Sequence, residues 1–537
     1  MYWVREVIGM GLYLNPGNDA FRQALSDDIY IDKTKMIALM NNRLNKPSVK
    51  FVCVSRPRRF GKSMAANMLT AYYCRGCNSK ELFFKYNIAN EETFDEHLNQ
   101  HDVIYINVQQ FLRKIESLTE LGKCIENAVL KEIYIAYSQI LLEKQSNLPD
   151  ALTTVYMHET RENKGFIFII DEWDCIFRIA KNDIKAQKNY LDFLQDLFKD
   201  RLYVNLAYMT GILPIRKDGS QSAISDFREF SILDPGEYAI FTGFTEDEVH
   251  TLCDTYHMEF ENAKRWYDGY SFDTVHSVYN PYSIMSAMLT GKFKSYWKKT
   301  SVSEALLTYI DMDEDGLQDE IARLISGEEI EIDTEGFEND FETFKSKDDV
   351  LTLMIHLGYL AYTEEEHGSG TVRIPNMEVR LEFNKILRKG THTELLRLIR
   401  ESDLLLEQTL QGDSEAVAQA VARIHDSNCA PQFYNNEQAL RATVRYAYIT
   451  CIDQYSKIEE LPSGHGYADI VYLPKKKSTL PAMVIELKWN KTAEGALAQI
   501  KDRNYPAVLN HYSGELLLVA VNYDAKSKLH SCVIEKY

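Results

Sequence analysis

The chain reads as an α/β protein, with a parallel sheet covered by helices, a helical middle segment, and a second, smaller α/β unit at the end. Three observations carry that expectation. Apolar strands alternate with helical stretches early in the chain, at Phe51–Val54, Val103–Val108, Phe166–Ile170 and Leu202–Tyr208. Continuous apolar strands separated by helices belong to a parallel sheet buried on both faces. After Phe244 the strands give way to helical periodicity, and beyond Gln432 a helix, strand, strand, helix, strand order follows.

The totals bound the answer. A chain of 537 residues is too long for one core, and a prior of roughly 150 residues per domain makes two or three units the expectation. The expected divisions are 1–245, 246–400, a helical connector at 401–430, and 431–537. Hydrophobic residues make up 45% and charged ones 26%, with 33 Tyr and 24 Phe, so there is ample material to bury and no disorder-like bias. The apolar run Phe166–Ile170 is far shorter than the roughly 20 residues of a membrane span, and Met1–Tyr13 lacks the basic start and apolar core of a signal peptide. A cytoplasmic chain with no membrane partner is therefore expected. Nine scattered cysteines read as reduced thiols, and the lone CxxC pair Cys74/Cys77 reads as ordinary helix-end cysteines. The net charge of -19, from 60 basic and 79 acidic residues, argues against a protein that coats nucleic acid through bulk attraction and leaves room for a locally basic groove.

Along the chain, Pro16-Gly17 marks a turn, Tyr30-Ile31 a short strand, and Asp32 opens a helix whose free N–H groups its carboxylate can cap. Helices are expected over Leu118–Lys144, Asp183–Phe198 and Glu246–Thr255, and one starts at Asn280-Pro281, a cap followed by proline in the first turn. Helix Asp349–Leu357, strand Tyr359–Glu364, a turn at His367–Gly370, strand Thr371–Ile374 and helix Met377–Leu387 fit a winged-helix-like unit and a helical lid with a hairpin equally well. Glu401–Ile424 is polar and helical. The last unit comprises helix Asn436–Ile449, strands Asp469–Leu473 and Ala482–Leu487, helix Glu494–Tyr505 and strand Glu515–Asn522. No internal repeat or low-complexity tract occurs.

The first chemical constellation follows the strand Phe51–Val54, which runs into Ser55-Arg56-Pro57-Arg58-Arg59-Phe60-Gly61-Lys62-Ser63 and then a helix. In a P-loop the backbone N–H groups and helix start cradle phosphates, the lysine reaches the terminal phosphates, and the hydroxyl binds Mg2+. Gly61, Lys62 and Ser63 meet that need, with Arg58, Arg59 and Phe60 in the same loop. Arg56 stands where the first glycine of G-x-x-x-x-G-K-[ST] is expected, so this loop takes another shape. The apolar strand Phe166–Ile170 ends in Asp171-Glu172, which places Asp171 for the metal and Glu172 for the attacking water. Thr210, ending the next strand, is placed to sense the terminal phosphate. ATP and Mg2+ are the expected cofactors.

These residues resemble the AAA-ATPase-like proteins common in gut bacteria, whose members carry a Tyr-x-Asp-Lys-Thr motif before an Arg-Pro-Arg-Arg-Phe-Gly-Lys-Ser loop. Here those are Tyr30, Asp32, Lys33 and Thr34, then Arg56–Ser63. Asp171-Glu172 with Asp174, Thr210-Gly211, Tyr267-Asp268-Gly269-Tyr270 and Asn280-Pro281-Tyr282 are similar to that family's later motifs. The resemblance covers roughly residues 5–290, implies a P-loop NTPase sheet, and makes Arg56 a family trait.

The second constellation begins after Gly464-His465-Gly466, where Asp469 opens a strand, and 17 residues later Glu486-Leu487-Lys488 ends the next. Residues two apart on a strand share a face, so Glu486 and Lys488 project together while Leu487 enters the core. Two carboxylates can hold Mg2+ beside a phosphodiester, and the lysine can orient a water and stabilise developing charge. Glu437 on the preceding helix can complete the metal shell, and Gln499 on the following helix can bind the water or backbone. Lys475–Lys477 reads as a solvated turn, with nucleic-acid contact as the alternative. The set resembles the PD-(D/E)xK nuclease superfamily over about residues 430–525, a restriction-endonuclease-like α/β domain. Ala468 stands where that motif's proline is expected.

Together these readings give an ATP-binding protein, expected to hydrolyse ATP, coupled to a Mg2+-dependent nuclease acting on DNA or RNA. The competing class is a signalling or scaffolding ATPase whose nuclease-like domain is inactive and only binds nucleic acid or a partner. A homo-oligomer is compatible with either.

Overall fold

The computed structural model describes residues 11–141, 147–180, 182–215, 224–272, 275–297, 310, 314–335, 337, 346–365, 370–387, 393–428, 436–462, 467–475, 478–502 and 515–537. Gly464, His465, Gly466, Lys476, Lys477 and most of the turn expected at His367–Gly370 lie outside them. The chain divides into two compact units, Met1–Val302 with Glu331–Val379, and Ser303–Ile330 with Arg380–Tyr537. Among the described residues no helix is long and apolar enough to cross a membrane, and the eight described cysteines are free.

The first unit is built on five strands, β1 (Phe51–Ser55), β2 (Asp102–Asn107), β3 (Phe166–Asp171), β4 (Val204–Gly211) and β5 (Arg228–Phe230), in the order β2-β3-β4-β1-β5. All four pairings are parallel. Every residue of β1, β3 and β4 is buried, which is why these strands read as apolar runs without alternation. The short edge strand β5, with Arg228 exposed, left no such run. Helix α1 (Lys62–Tyr73) follows β1 and buries Ala65, Ala66, Met68 and Leu69 in the core that also holds Val52, Val54, Ile167 and Tyr208.

Several local expectations shift. Tyr30-Ile31 forms no strand; it lines a cavity. The Asp32 carboxylate accepts from Thr34 N–H at 2.8 Å and from Asn87 N–H at 2.8 Å, and the helix itself starts at Lys35. The helix expected over Leu118–Lys144 is a 3-10 turn at Leu118–Glu120 and an α-helix Leu121–Ala136. The Asn280 side chain does cap its helix, accepting from Tyr282 and Ser283 N–H, with Pro281 in the first turn. The stretch after Phe244 is not purely helical, because Phe244–Thr245, Tyr270–Phe272 and Val275–Tyr279 form a three-stranded sheet. Gly269 enters it at φ 121, where an added Cβ would meet the Pro375 carbonyl oxygen at 2.1 Å, so only glycine fits. Helix α2 (Lys347–Leu357), the strands Ala361–Glu364 and Gly370–Arg373, and helix Met377–Leu387 follow in the expected order.

The second unit carries a mixed sheet, β6 (Tyr455–Pro462), β7 (Tyr467–Pro474), β8 (Ala482–Trp489), β9 (Leu516–Asp524) and β10 (Leu529–Lys536), in sequential order. Only β8 and β9 pair in parallel, which requires a crossover, and helix Ala493–Asp502 lies within it. Strands β6 and β10 at the edges were not expected; their charged and half-exposed residues break up any apolar run. The polar, helical stretch Glu401–Ile424 falls in two helices, Thr393–Gln411 and Ser414–Asn428, broken at Gly412 with φ 79. Both bury one face, through Leu405, Leu406, Val417 and Val421. Helix α3 (Glu437–Ala447) buries Leu440 and Val444.

Candidate functional site

Parallel pairing aligns the strand ends of the first unit at one edge of the sheet. Asn107 stands in register with Asp171, Asp171 with Thr210, and Thr210 with Val54, so polar groups gather where open α/β sheets hold ligands. At the end of β1 the chain turns through Arg59 at φ 69 and Gly61 at φ 86, and Gly61 is the N-cap of α1. Nothing lies within 4 Å of a Cβ built at Gly61, so its backbone conformation, and not crowding, calls for glycine.

Lys62, Ser63, Asp171 and Glu172 come together as the sequence implied. Ser63 Oγ donates to Asp171 Oδ2 at 2.7 Å, and Asn107 Nδ2 donates to the same oxygen at 3.1 Å. Asp171 Oδ1 is buried without a hydrogen-bond partner among the described residues. A buried carboxylate oxygen left open next to a serine hydroxyl suits a hard divalent cation. Burial pushes the Asp171 carboxyl up to about 6, the Ser63 hydrogen bond opposing and the Glu172 charge adding to the rise. Lys62 Nζ donates to the Pro57 carbonyl at 2.9 Å; burial lowers its pKa, and the charges of Glu172, Asp174 and Asp171 oppose that fall.

Glu172 adopts φ 55, an uncommon conformation for a glutamate, and its carboxylate is paired with Arg178. Burial alone would raise its pKa, but the cations of Lys62 and Arg178 hold it below the usual carboxylate range. Arg178 Nε also donates to Asp174 Oδ2 at 2.9 Å, and that oxygen accepts the Leu213 N–H at 2.9 Å. Arg58 lines the same cavity, about 480 Å3, with Lys62, Ser63, Glu172 and Arg178, and among the described residues its guanidinium has no hydrogen bond or ion pair. Tyr30, Tyr282, Trp297 and Tyr359 line the apolar part.

Arg59 and Phe60 also line the cavity, each held by an aromatic ring. Arg59 stacks over the Tyr282 ring at 4.1 Å and donates to the Tyr296 carbonyl at 3.0 Å. Phe60 is fully buried with its ring edge-on to Tyr270 at 5.3 Å. Thr210 donates its hydroxyl to the Val54 carbonyl at 2.9 Å and does not line the cavity, because a buried strand hydroxyl beside a free carbonyl bonds it. Arg56, where a glycine was expected, is wholly buried. Its Nε donates to Thr242 Oγ1 at 2.8 Å, and its Nη1 to the carbonyls of Ser55, Phe230 and Ser231 at 2.8, 2.7 and 2.8 Å.

In the second unit, the β7–β8 register ends at Ile470↔Ile485, and Asp469 and Glu486 are the next residues on either side. Asp469 Oδ2 accepts the Leu487 N–H at 2.8 Å, and Lys488 Nζ lies 2.9 Å from Glu486 Oε1. All three side chains are buried. Glu437 and Gln499 are not drawn in: among the described residues neither has a hydrogen bond or ion pair to Asp469, Glu486 or Lys488. One turn along α3 from Glu437, Arg441 Nη2 lies 2.5 Å from Asp469 Oδ1. Two buried carboxylates on adjacent strands supply hard oxygen donors that fit Mg2+ or Mn2+. No group of three or more His, Cys, Asp or Glu gathers as a metal cage among the described residues, so water or phosphate oxygens would complete either shell.

Sequence reasoning missed Asn107, Arg178, Arg56 as an anchor, and Arg441. Signals existed for two of them. Asn107 ends an apolar strand as Asp171 does, and Arg178 follows Asp174 by one helical turn.

Comparisons with known proteins agree with the two-part reading. Residues 17–220 match the family model of a predicted AAA-ATPase, and residues 435–531 match that of the PD-(D/E)XK nuclease superfamily. No curated protein matches the chain. Among solved structures, Drosophila ORC bound to DNA is similar at 10% identity over 69% of this chain and 91% of that one, with a TM-score of 0.25. The Aeropyrum pernix ORC2 protein, as ADPNP-ADP complexes, is similar at 10% identity over 67% and 96%, with a TM-score of 0.30.

Proposed function

Since the chain joins an AAA-ATPase-like domain to a PD-(D/E)XK nuclease superfamily domain, we propose that the first binds and hydrolyses ATP and the second cleaves DNA or RNA phosphodiesters under its control, in the cytoplasm. The observation that carries this is the meeting of Ser63 with Asp171, whose second oxygen is buried and open. In the first unit, Lys62 and Arg58 supply positive charge to the terminal phosphates, the N–H groups at the start of α1 receive the phosphate oxygens, and Glu172 accepts a proton from water once it leaves Arg178. In the second, Lys488 orients a water beside the scissile phosphate and stabilises charge on it. A divalent ion, held by Ser63 and Asp171 in one site and by Asp469 and Glu486 in the other, supplies neutralisation of phosphate oxygens.

The test is cleavage of single- and double-stranded DNA and RNA by the full chain in Mg2+ or Mn2+, with and without ATP. Cleavage that Glu486→Ala or Lys488→Ala removes, and that ATP alters, is expected; cleavage retained in both variants moves the active site elsewhere. The pairing of Asp469 and Glu486 with protein cations favours a second reading, in which this domain binds nucleic acid or a partner without cutting. Absence of cleavage of every nucleic-acid form, with nucleotide-dependent binding retained, would select it.

A further inference from the structure

In the second unit, the acid that the nuclease reading assigns to the metal is already held by a cation absent from the sequence motif. Arg441 Nη2 lies 2.5 Å from Asp469 Oδ1, with side-chain exposures of 22% and 8%. The other oxygen accepts the Leu487 N–H at 2.8 Å, so both oxygens of Asp469 are engaged. Burial keeps this pair from being screened as a surface pair would be. A guanidinium and a divalent ion on one carboxylate oxygen would set two positive centres within a few ångströms of each other, and their repulsion weakens the hold of each on the acid.

We infer that Arg441 is an internal counter-ion that competes with the divalent cation for Asp469, so that metal affinity in this domain is set by displacement of Arg441. The inference rests on the reading of Asp469 and Glu486 as the metal-binding pair. Lys488 is bonded to the other acid of the pair, Glu486, at 2.9 Å, and is unchanged in every variant of Arg441. Arg445, one turn further along α3, supplies an internal control. It carries the same charge but pairs with Glu328 at 3.0 Å and Glu459 at 3.6 Å, so its removal changes the local charge without freeing Asp469.

The experiment titrates the full-length chain with Mn2+ by calorimetry, without nucleotide or nucleic acid, and assigns to this site the binding lost in Glu486→Gln. Arg441→Gln is expected to bind Mn2+ roughly 10- to 100-fold tighter than the unsubstituted chain, since a charge-assisted pair no longer competes. Arg441→Lys, which keeps the charge but loses the planar fork, falls between them, and Arg445→Gln stays within about twofold because it breaks no bond to the acid. A residue that only supported the fold would weaken metal binding when removed, so the direction of the change is diagnostic. Circular dichroism checks that each variant is folded, and if Arg441→Gln is not, Arg441→Lys decides. Unchanged or weaker Mn2+ binding in the Arg441 variants, with binding still lost in Glu486→Gln, overturns the counter-ion role and leaves the nuclease reading standing. If no bound Mn2+ depends on Glu486 in any of these proteins, the nuclease reading fails and the inference falls with it.

Discussion

Replacing Arg56 with glycine restores the usual P-loop consensus, yet it is expected to weaken the protein. The guanidinium makes four hydrogen bonds, three of them to backbone carbonyls, and lies 5.0 Å from the Phe272 ring centre. Burial lowers its pKa to about 10, so it remains charged at neutral pH. Hydrogen bonds from a charged donor contribute about 1.5–3 kcal/mol each. Desolvating the cation offsets several kcal/mol of that sum, which leaves a net loss of about 3–5 kcal/mol once the stranded carbonyls are counted. Position 56 is not in the left-handed region, so glycine's extra freedom is not needed there and adds only unfolded-state entropy. For a unit of this size the loss amounts to a fall on the order of 10 °C in its melting temperature. Scanning calorimetry of the full chain, with a fluorescent ATP analogue to report the site, measures both consequences. Arg56→Met, which fills the space but donates nothing, separates volume from hydrogen bonding. An Arg56→Gly protein that melts at or above the temperature of the unsubstituted chain, and binds nucleotide as tightly, would refute the anchor and restore the view of Arg56 as a replaced glycine.

Lys62→Ala should weaken ATP binding by roughly 10- to 100-fold, the contribution of a charge-assisted contact, and unchanged binding in a fluorescence titration would remove Lys62 from the site. Glu172→Gln should lower ATP turnover by about 10²- to 10⁴-fold while affinity changes little; near-normal turnover in a phosphate-release assay would show that another group handles the proton. His356 is buried, and burial with the Arg56 charge depresses its pKa to about 3, against roughly 6.5 in the unfolded chain. Its stabilising contribution is therefore complete above pH 6.5 and is lost as pH falls towards 3, at about 1.4 kcal/mol per pH unit. His356→Leu should flatten that part of the stability-versus-pH curve, and an identical slope in the two proteins would contradict the assignment.

Much of the fold was legible because burial writes itself into composition. Strands β1, β3 and β4 are covered on both faces and so appear as unbroken apolar runs. Asn280-Pro281 announced its helix because cap chemistry is local. Strands β5, β6 and β10 were invisible for the converse reason, since an edge strand with exposed or charged residues looks like a loop. At the first site Lys62, Ser63, Asp171 and Glu172 were readable because each ends or follows a buried strand. At the second, strand periodicity put Glu486 and Lys488 on one face, and the spacing to Asp469 with the helices on either side completed the set.

What the amino-acid order determined by itself was therefore the α/β class and the side chains near the ends of the buried strands, because strand burial and the turn after a strand are short-range matters. Which cation meets which acid was decided only by tertiary packing. Arg56 turned inward to a strand carbonyl 174 residues away, Arg178 took Glu172, Thr210 donated its hydroxyl hydrogen bond to the Val54 carbonyl, and Arg441 rather than Glu437 reached Asp469. A long guanidinium side chain has many reachable partners, and the one it takes depends on where the sheet and helices place the unsatisfied oxygens.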